Sequence, residues 1–385
     1  MKNKVIFVTE ALWIGGIESA LTNLLNALDY EKYDVTCLVL RSSLEMAYRI
    51  PRKCRLLVAD REKTVTFSEG YRFARLYHLT EECANPSRLH RMFLWAVPVV
   101  KWVENRLYIR YIRKCLGTER FDTCVIYSDR TAETAVRAVK ADRFLMYYHH
   151  GAMRRTYHDE IGYQRAEKVI AVSDGIGQKL KEYRPQYAQK VIAVPNLIDI
   201  SQIIERSKDA IEDKFETGYF HIVSCGRIVH DKGMDIAVNA AAKLIEMGYR
   251  NIHWWIVGGG QDEEKIRELI IQKNLQEHVT LLGMKVNPYP YIAKADLFVQ
   301  PSRIEAYGLT IAEALALGKP VVATDTEGAS SVICDGVNGE VCKCDVDKLV
   351  NAIESCMDEK TVCANAQEYF QKNNNLAKQK IERLF

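Results

Sequence analysis

Twice along this chain a short apolar run gives way to glycine and then to an apolar stripe at helical spacing, and a polar segment separates the two series. In the first series residues 4–9 (KVIFVT) read as a buried strand. Residues 14–28 then place Ile17, Ala20, Leu21, Leu24, Leu25 and Leu28 on one helical face, and residues 34–40 form a second strand. Unbroken apolar strands alternating with helices predict a parallel sheet covered on both faces. Further strands are expected at 121–127, 144–148, 168–172 and 191–195. Residues 200–217 are polar and carry no strand signal, and the rhythm restarts at 219–225. A helix over 234–247 follows, with strands at 253–257, 279–282, 297–299 and 320–323 and a helical tail from 346.

This predicts an α/β chain of two Rossmann-like, doubly wound domains facing each other across a deep cleft. The expected boundaries are 1–200, 201–365 and a helical tail at 366–385 that packs back toward the first domain. A length of 385 residues suits two cores rather than one. Ligands of such sheets sit outside the carboxyl ends of the strands.

Charge is unevenly spread. Residues 1–200 hold 32 lysines and arginines against 23 acidic residues, a net +9, whereas the remainder is net −6. A basic first half implies an anionic surface or partner there. No cluster of basic and aromatic residues matches a nucleic-acid-binding motif, so no nucleic-acid partner is expected. Eleven cysteines without a C-x-x-C pair read as reduced thiols rather than a zinc or disulfide framework. The first ten residues do not read as a secretory signal, and the longest apolar run, 92–100, is too short to span a bilayer. The expected location is therefore cytoplasmic.

Five segments carry candidate chemistry. GGIE at 15–18 lies between the first strand and helix, where glycines let a backbone approach a phosphate; a tight turn explains the pair equally well. It is not a dinucleotide fingerprint, because G-x-G-x-x-G is missing and the second strand runs into Leu40-Arg41 rather than a ribose-binding acid. CGRIVHDKGMD at 225–235 follows a strand, and Arg227 with Lys232 can converge on a diphosphate. VGGG at 257–260 is a third glycine turn, as well explained by βα geometry as by phosphate binding. In EAYGLTIAE at 305–313, Glu305 stands at a helix mouth and Glu313 one turn inside. Carboxylates there accept hydrogen bonds from sugar or ribose hydroxyls, and the free N–H groups around Tyr307, Gly308 and Leu309 hold an anionic oxygen. Finally, YYHHG at 147–151 ends a strand with two histidines, either of which can orient a hydroxyl or stabilise developing charge.

Taken in order, these segments resemble the retaining family-four glycosyltransferases of the GT-B fold, of the bacterial polysaccharide, capsule and glycolipid type. The resemblance runs along nearly the whole chain. It includes VSD at 172–174, VPNLID at 194–199, the continuation ALALGKPVVATD at 314–325 and DGVNG at 335–339. It implies that Gly15 and Gly16, Arg227 and Lys232 hold the diphosphate of a nucleotide-sugar donor, UDP-linked by expectation. It implies that Glu313 binds the ribose, and that Glu305 with Tyr307, Gly308 and Leu309 holds the donor sugar and its phosphate. His150 matches the active-site histidine, with His149 one position away as the alternative, and Lys285 lies where members contact the base. Catalysis would retain anomeric configuration, use no protein nucleophile, and need neither metal nor cofactor. The acceptor would be a glycan or a lipid-linked sugar. Two departures bear on the donor sugar: Ala306 stands where glycine is usual, and EGASS at 327–331 is an unusual version of a nearby segment.

Two other readings share these features, a nucleotide-sugar 2-epimerase on the same fold and a non-catalytic nucleotide-sugar-binding protein. Trp95, Trp102, Tyr108 and Tyr111 alternate with Lys101, Arg106, Arg110, Arg113 and Lys114. As a helix this is either an interfacial surface for the inner face of an anionic membrane or an amphipathic helix packed on the core.

Overall fold

The computed structural model describes residues 2–60, 88–153, 159–358 and 366–385. Two compact units divide the chain: Met1–Tyr148 with Arg155–Val169, and His149–Arg154 with Ile170–Phe385.

The strands are β1 (Asn3–Thr9), β2 (Tyr33–Val39), β3 (Arg55–Val58), β4 (Phe121–Ile126), β5 (Ala141–Tyr148), β6 (Lys168–Ala171) and β7 (Val191–Ala193), then β8 (Phe220–Cys225), β9 (Ile252–Val257), β10 (Val279–Gly283), β11 (Leu297–Gln300), β12 (Val321–Thr324) and β13 (Glu340–Cys342). The first seven form one sheet in the order β3-β2-β1-β4-β5-β6-β7, and the rest a second in the order β10-β9-β8-β11-β12-β13. The recorded pairings are parallel, as Val5 opposite Val35 and Val223 opposite Trp255 illustrate. Each sheet reverses its winding once, between β1 and β4 and between β8 and β11. Strand order therefore opens a crevice at the carboxyl ends of those pairs.

Local sequence explains the elements. Residues 5–9 of β1 are all buried, as a central strand covered on both faces must be. The helix Gly16–Ala27 buries Ala20, Leu21, Leu24 and Leu25 along one stripe. In the second sheet Trp254 is fully buried, and its indole N–H donates to Ser224 Oγ at 2.9 Å. That hydroxyl donates in turn to Val299 O at 2.6 Å, so one buried polar chain ties β9, β8 and β11.

Sequence reading passed over β3 and β13. Both lie at sheet edges and are only partly buried, so neither needs the apolar run that marks a central strand. The helix Ile200–Arg206 occupies the start of the polar segment, and no strand intervenes before β8. The helix Ala366–Glu382 packs on the helix Leu309–Ala316. Asn374 clasps Ile198, accepting from its N–H at 3.0 Å and donating to its carbonyl at 2.8 Å.

The helix Arg88–Leu116 contains the run 92–100, and among the described residues no helix is long and apolar enough to cross a membrane. Trp102, Arg106, Arg110, Arg113 and Lys114 are exposed on it, with the Arg106 guanidinium 4.1 Å above the Trp102 ring. Tyr108 does not belong to that surface. It is 1% exposed, and its hydroxyl lies 2.6 Å from Ala59 O and 3.1 Å from Leu40 O, so it anchors the helix to the core. The side chains of Trp95 and Lys101 lie outside the described residues.

Candidate active site

The loops after β8 and β11 flank the second sheet's reversal point, and they are joined to each other. Gly226 and Arg227 follow β8, then a single turn His230–Lys232 ends at Gly233. Gly233 has φ +65°, and a Cβ there would lie 1.9 Å from Pro301 O. Glycine is therefore required for the two loops to approach. Arg303 grips Asp235 with two bonds of 2.7 and 2.6 Å, and its backbone N–H donates to Asp231 O at 2.8 Å. Burial pushes the Asp235 carboxyl up, but the Arg303 guanidinium outweighs it and the pKa falls below the usual value.

This docking carries Lys232 to Glu305. Lys232 Nζ lies 2.5 Å from Glu305 Oε1, and both side chains are largely withdrawn from solvent. Ser302 Oγ also donates to Oε1, at 3.0 Å. Ser302 accepts from Gln300 Nε2 at 2.8 Å, and Thr310 Oγ1 donates to Gln300 Oε1 at 3.1 Å. Behind Glu305, its carbonyl accepts from Gly328 N at 3.0 Å, and a Cβ on Gly328 would lie 2.7 Å from Glu305 Cβ. The carbonyl of Ala306 accepts from Ser173 Oγ at 2.9 Å.

Tyr307 is buried, and burial pushes its phenol up. Gly308, at φ +79°, caps the helix Leu309–Ala316 without contributing a side chain to its N-terminus. The first-turn N–H groups there make a ready anion site. Glu313, one turn in and 6% exposed, accepts from the Tyr289 hydroxyl at 3.1 Å. Cys225, at the end of β8, reports the local field. Burial raises its thiol pKa, the Glu313 charge adds to the rise, and Lys232 opposes it.

Arg227 is exposed at the carboxyl end of β8, with no hydrogen bond or ion pair of its side chain among the described residues. His149 and His150 are half-buried just after β5. A Cβ on the next residue, Gly151, would lie 2.5 Å from Ile304 Cγ2 and 3.1 Å from the Glu305 carbonyl carbon. The histidine pair therefore adjoins the acid loop. Lys285 follows β10, its ammonium 3.5 Å from Asp213 and 5.3 Å above the Tyr291 ring. In the other unit, Gly15 caps the helix Gly16–Ala27, and a Cβ on it would lie 2.6 Å from Glu18 Oε2. The buried Glu18 carboxylate thus folds back on the helix N-terminus, where negative charge is favoured.

The structure brings Lys232, Glu305, the Gly308 helix mouth and Glu313 together at one end of the second sheet. Reading the sequence missed Gln300, Ser302, Thr310 and Tyr289. Their roles arise from bonds to residues that only the folded sheet places beside them.

Two doubly wound parallel sheets in one chain make the GT-B architecture, which the solved neighbours share. A profile described as Glycosyltransferase Family 4 matches residues 14–202, and one described as Glycosyl transferases group 1 matches residues 205–375. The chain belongs to the family-4 glycosyltransferases of the GT-B fold. A protein described as an uncharacterized glycosyltransferase from Methanocaldococcus jannaschii is 28% identical over 180 residues, 46% of this chain and 44% of that protein. The Campylobacter jejuni N-acetylgalactosamine-N,N'-diacetylbacillosaminyl-diphospho-undecaprenol 4-alpha-N-acetylgalactosaminyltransferase is 30% identical over 165 residues, 42% of this chain. The chain matches about half or less of the length of these curated relatives. In fold it is similar to TarM from S. aureus, solved with fondaparinux, alpha-GlcNAc-glycerol and UDP, with a TM-score of 0.71 at 13% identity over 99% of both chains.

Proposed function

We propose that this chain transfers a sugar from a UDP-sugar to a glycan or lipid-linked acceptor, with retention of anomeric configuration and without a metal. The observation that carries this reading is the buried Lys232/Glu305 pair beside the open N-terminus of the helix Leu309–Ala316, with Arg227 exposed nearby. Breaking the bond between the anomeric carbon and the diphosphate oxygen sends its electron pair to that oxygen. Arg227, Lys232 and the N–H groups of the helix mouth stabilise the charge that grows there. The acceptor oxygen bonds to the anomeric carbon on the face the diphosphate leaves, and its proton passes to the departing diphosphate. Glu305 and His150 hold the sugar's hydroxyls, and Glu313 takes the ribose. The Campylobacter relative is named for 4-alpha-N-acetylgalactosaminyl transfer to a diphospho-undecaprenol-linked sugar and TarM was solved with UDP, which supports an α product, a lipid-linked acceptor and a UDP donor here.

The test is UDP release from UDP-sugars in the presence of lipid-linked and glycan acceptors, with the product anomer read by NMR. Release that persists in excess EDTA and gives an α-linked product is expected. An inverted product or abolition by EDTA contradicts the mechanism.

The exposed face of the helix Arg88–Leu116 extends the reading to a peripheral contact with the inner membrane surface. Trp102, Val103 and Leu107 offer apolar area beside Arg106, Arg110, Arg113 and Lys114. Pelleting with anionic liposomes is expected at low salt and should weaken at high salt. Failure to pellet at either ionic strength overturns the contact.

A further inference from the structure

Beneath Glu305 runs a line of buried polar side chains to which donor capture assigns no role. Gln300 and Ser302 are each 1% exposed, and buried polar groups of this kind need partners. Thr310 Oγ1 donates to Gln300 Oε1 at 3.1 Å, Gln300 Nε2 donates to Ser302 Oγ at 2.8 Å, and Ser302 Oγ donates to Glu305 Oε1 at 3.0 Å. The direction is forced. An amide N–H can only donate, so Ser302 accepts from Gln300 and has a single proton left to give. Its other neighbour is a carboxylate, which can only accept. The same oxygen, Oε1, faces Lys232 Nζ at 2.5 Å. Thr324 Oγ1 fixes the loop from behind, donating to Ser302 O at 2.5 Å. Thr310 stands in the first turn of the helix Leu309–Ala316, so the line joins the anion-binding helix mouth to the acid.

We propose that Gln300 and Ser302 are positioning residues that hold the Glu305 carboxylate on Lys232 through a one-way hydrogen-bond relay starting at Thr310. The assignment deepens the donor-site reading and rests on it for its effect on turnover.

The relay predicts an order of damage for two variants at Gln300, and Ser302→Ala separates the relay from a merely space-filling role. Gln300→Glu keeps shape and the bond from Thr310 but brings no N–H, so two carboxylates compete for the one Ser302 proton. Gln300→Met removes the amide yet leaves that proton on Glu305. The relay predicts kcat lowered about tenfold in Gln300→Glu and about threefold or less in Gln300→Met, on the scale of one hydrogen bond to a charged group. Ser302→Ala covers the case in which Gln300→Glu fails to fold. It is expected to lower kcat about tenfold while UDP affinity stays within about twofold, and Ser302→Thr should restore most of the loss.

A second readout does not need turnover. Crystals of Ser302→Ala should show Glu305 Oε1 rotated away from Lys232. Retention of the contact together with wild-type kcat, or Gln300→Glu at least as active as Gln300→Met, overturns the relay. A wild-type chain inactive on every donor refutes the donor-site reading instead, and the Glu305 position in Ser302→Ala still decides the relay.

Discussion

Lys232→Ala is expected to lower kcat by about two to three orders of magnitude, the scale seen when one preorganised donor to developing charge is removed. Lys232 is chosen by geometry. Its ammonium is withdrawn from solvent and held by Glu305 beside the helix mouth, so it needs little reorganisation to meet a leaving diphosphate. The substitution also strands a carboxylate that is 8% exposed, and breaking a buried pair costs about 3–5 kcal/mol. Stability and catalysis are therefore expected to fall together in the single variant. They separate in the double variant Lys232→Ala with Glu305→Gln. Removing both charges should recover much of the melting temperature and none of the turnover. Steady-state kinetics with thermal denaturation of the three proteins makes the comparison. Recovery of activity in the double variant would show that Lys232 serves only to neutralise Glu305.

Glu305→Gln alone is the second large effect, with kcat expected to fall by about 100-fold. The shape is conserved, the Ser302 hydroxyl and Lys232 remain, and only the charge is lost. Because the acid is assigned to the sugar rather than the nucleotide, UDP affinity should change by less than about threefold. A variant that loses UDP binding and keeps kcat would reverse the roles of Glu305 and Glu313.

Much of the fold is legible in the sequence, because central parallel strands must be apolar on both faces. KVIFVT at the start of the chain and FHIVSC in β8 announce themselves in that way. The edge strands β3 and β13 do not, since pairing on one side alone defines them. Glycine turns after strands mark where loops cluster, and the spacing of Glu305 and Glu313 across a helix start places both near one helix N-terminus. What stays hidden depends on sequence-distant bonds. Nothing around Tyr289 in the chain shows that its hydroxyl meets Glu313, nor does Gln300 reveal that its amide orients Ser302. Tyr108 reads from its neighbours as either an interfacial aromatic or part of a core-packed face, and the carbonyls of Leu40 and Ala59 decide it by drawing its hydroxyl into the core. Nor does the chain around Lys285 show that its ammonium meets Asp213 and the Tyr291 ring.

The most direct measurement of donor capture is a thermal-shift titration of nucleoside diphosphates against the wild-type chain and Glu313→Ala. A ligand at about 100 times its Kd stabilises the native state by about 2.7 kcal/mol, which a melting curve resolves. UDP is expected to raise the wild-type melting temperature more than the other diphosphates do, and to shift Glu313→Ala much less. A flat response of the wild-type chain to every nucleotide would contradict a donor site built on Lys232, Glu305 and Glu313.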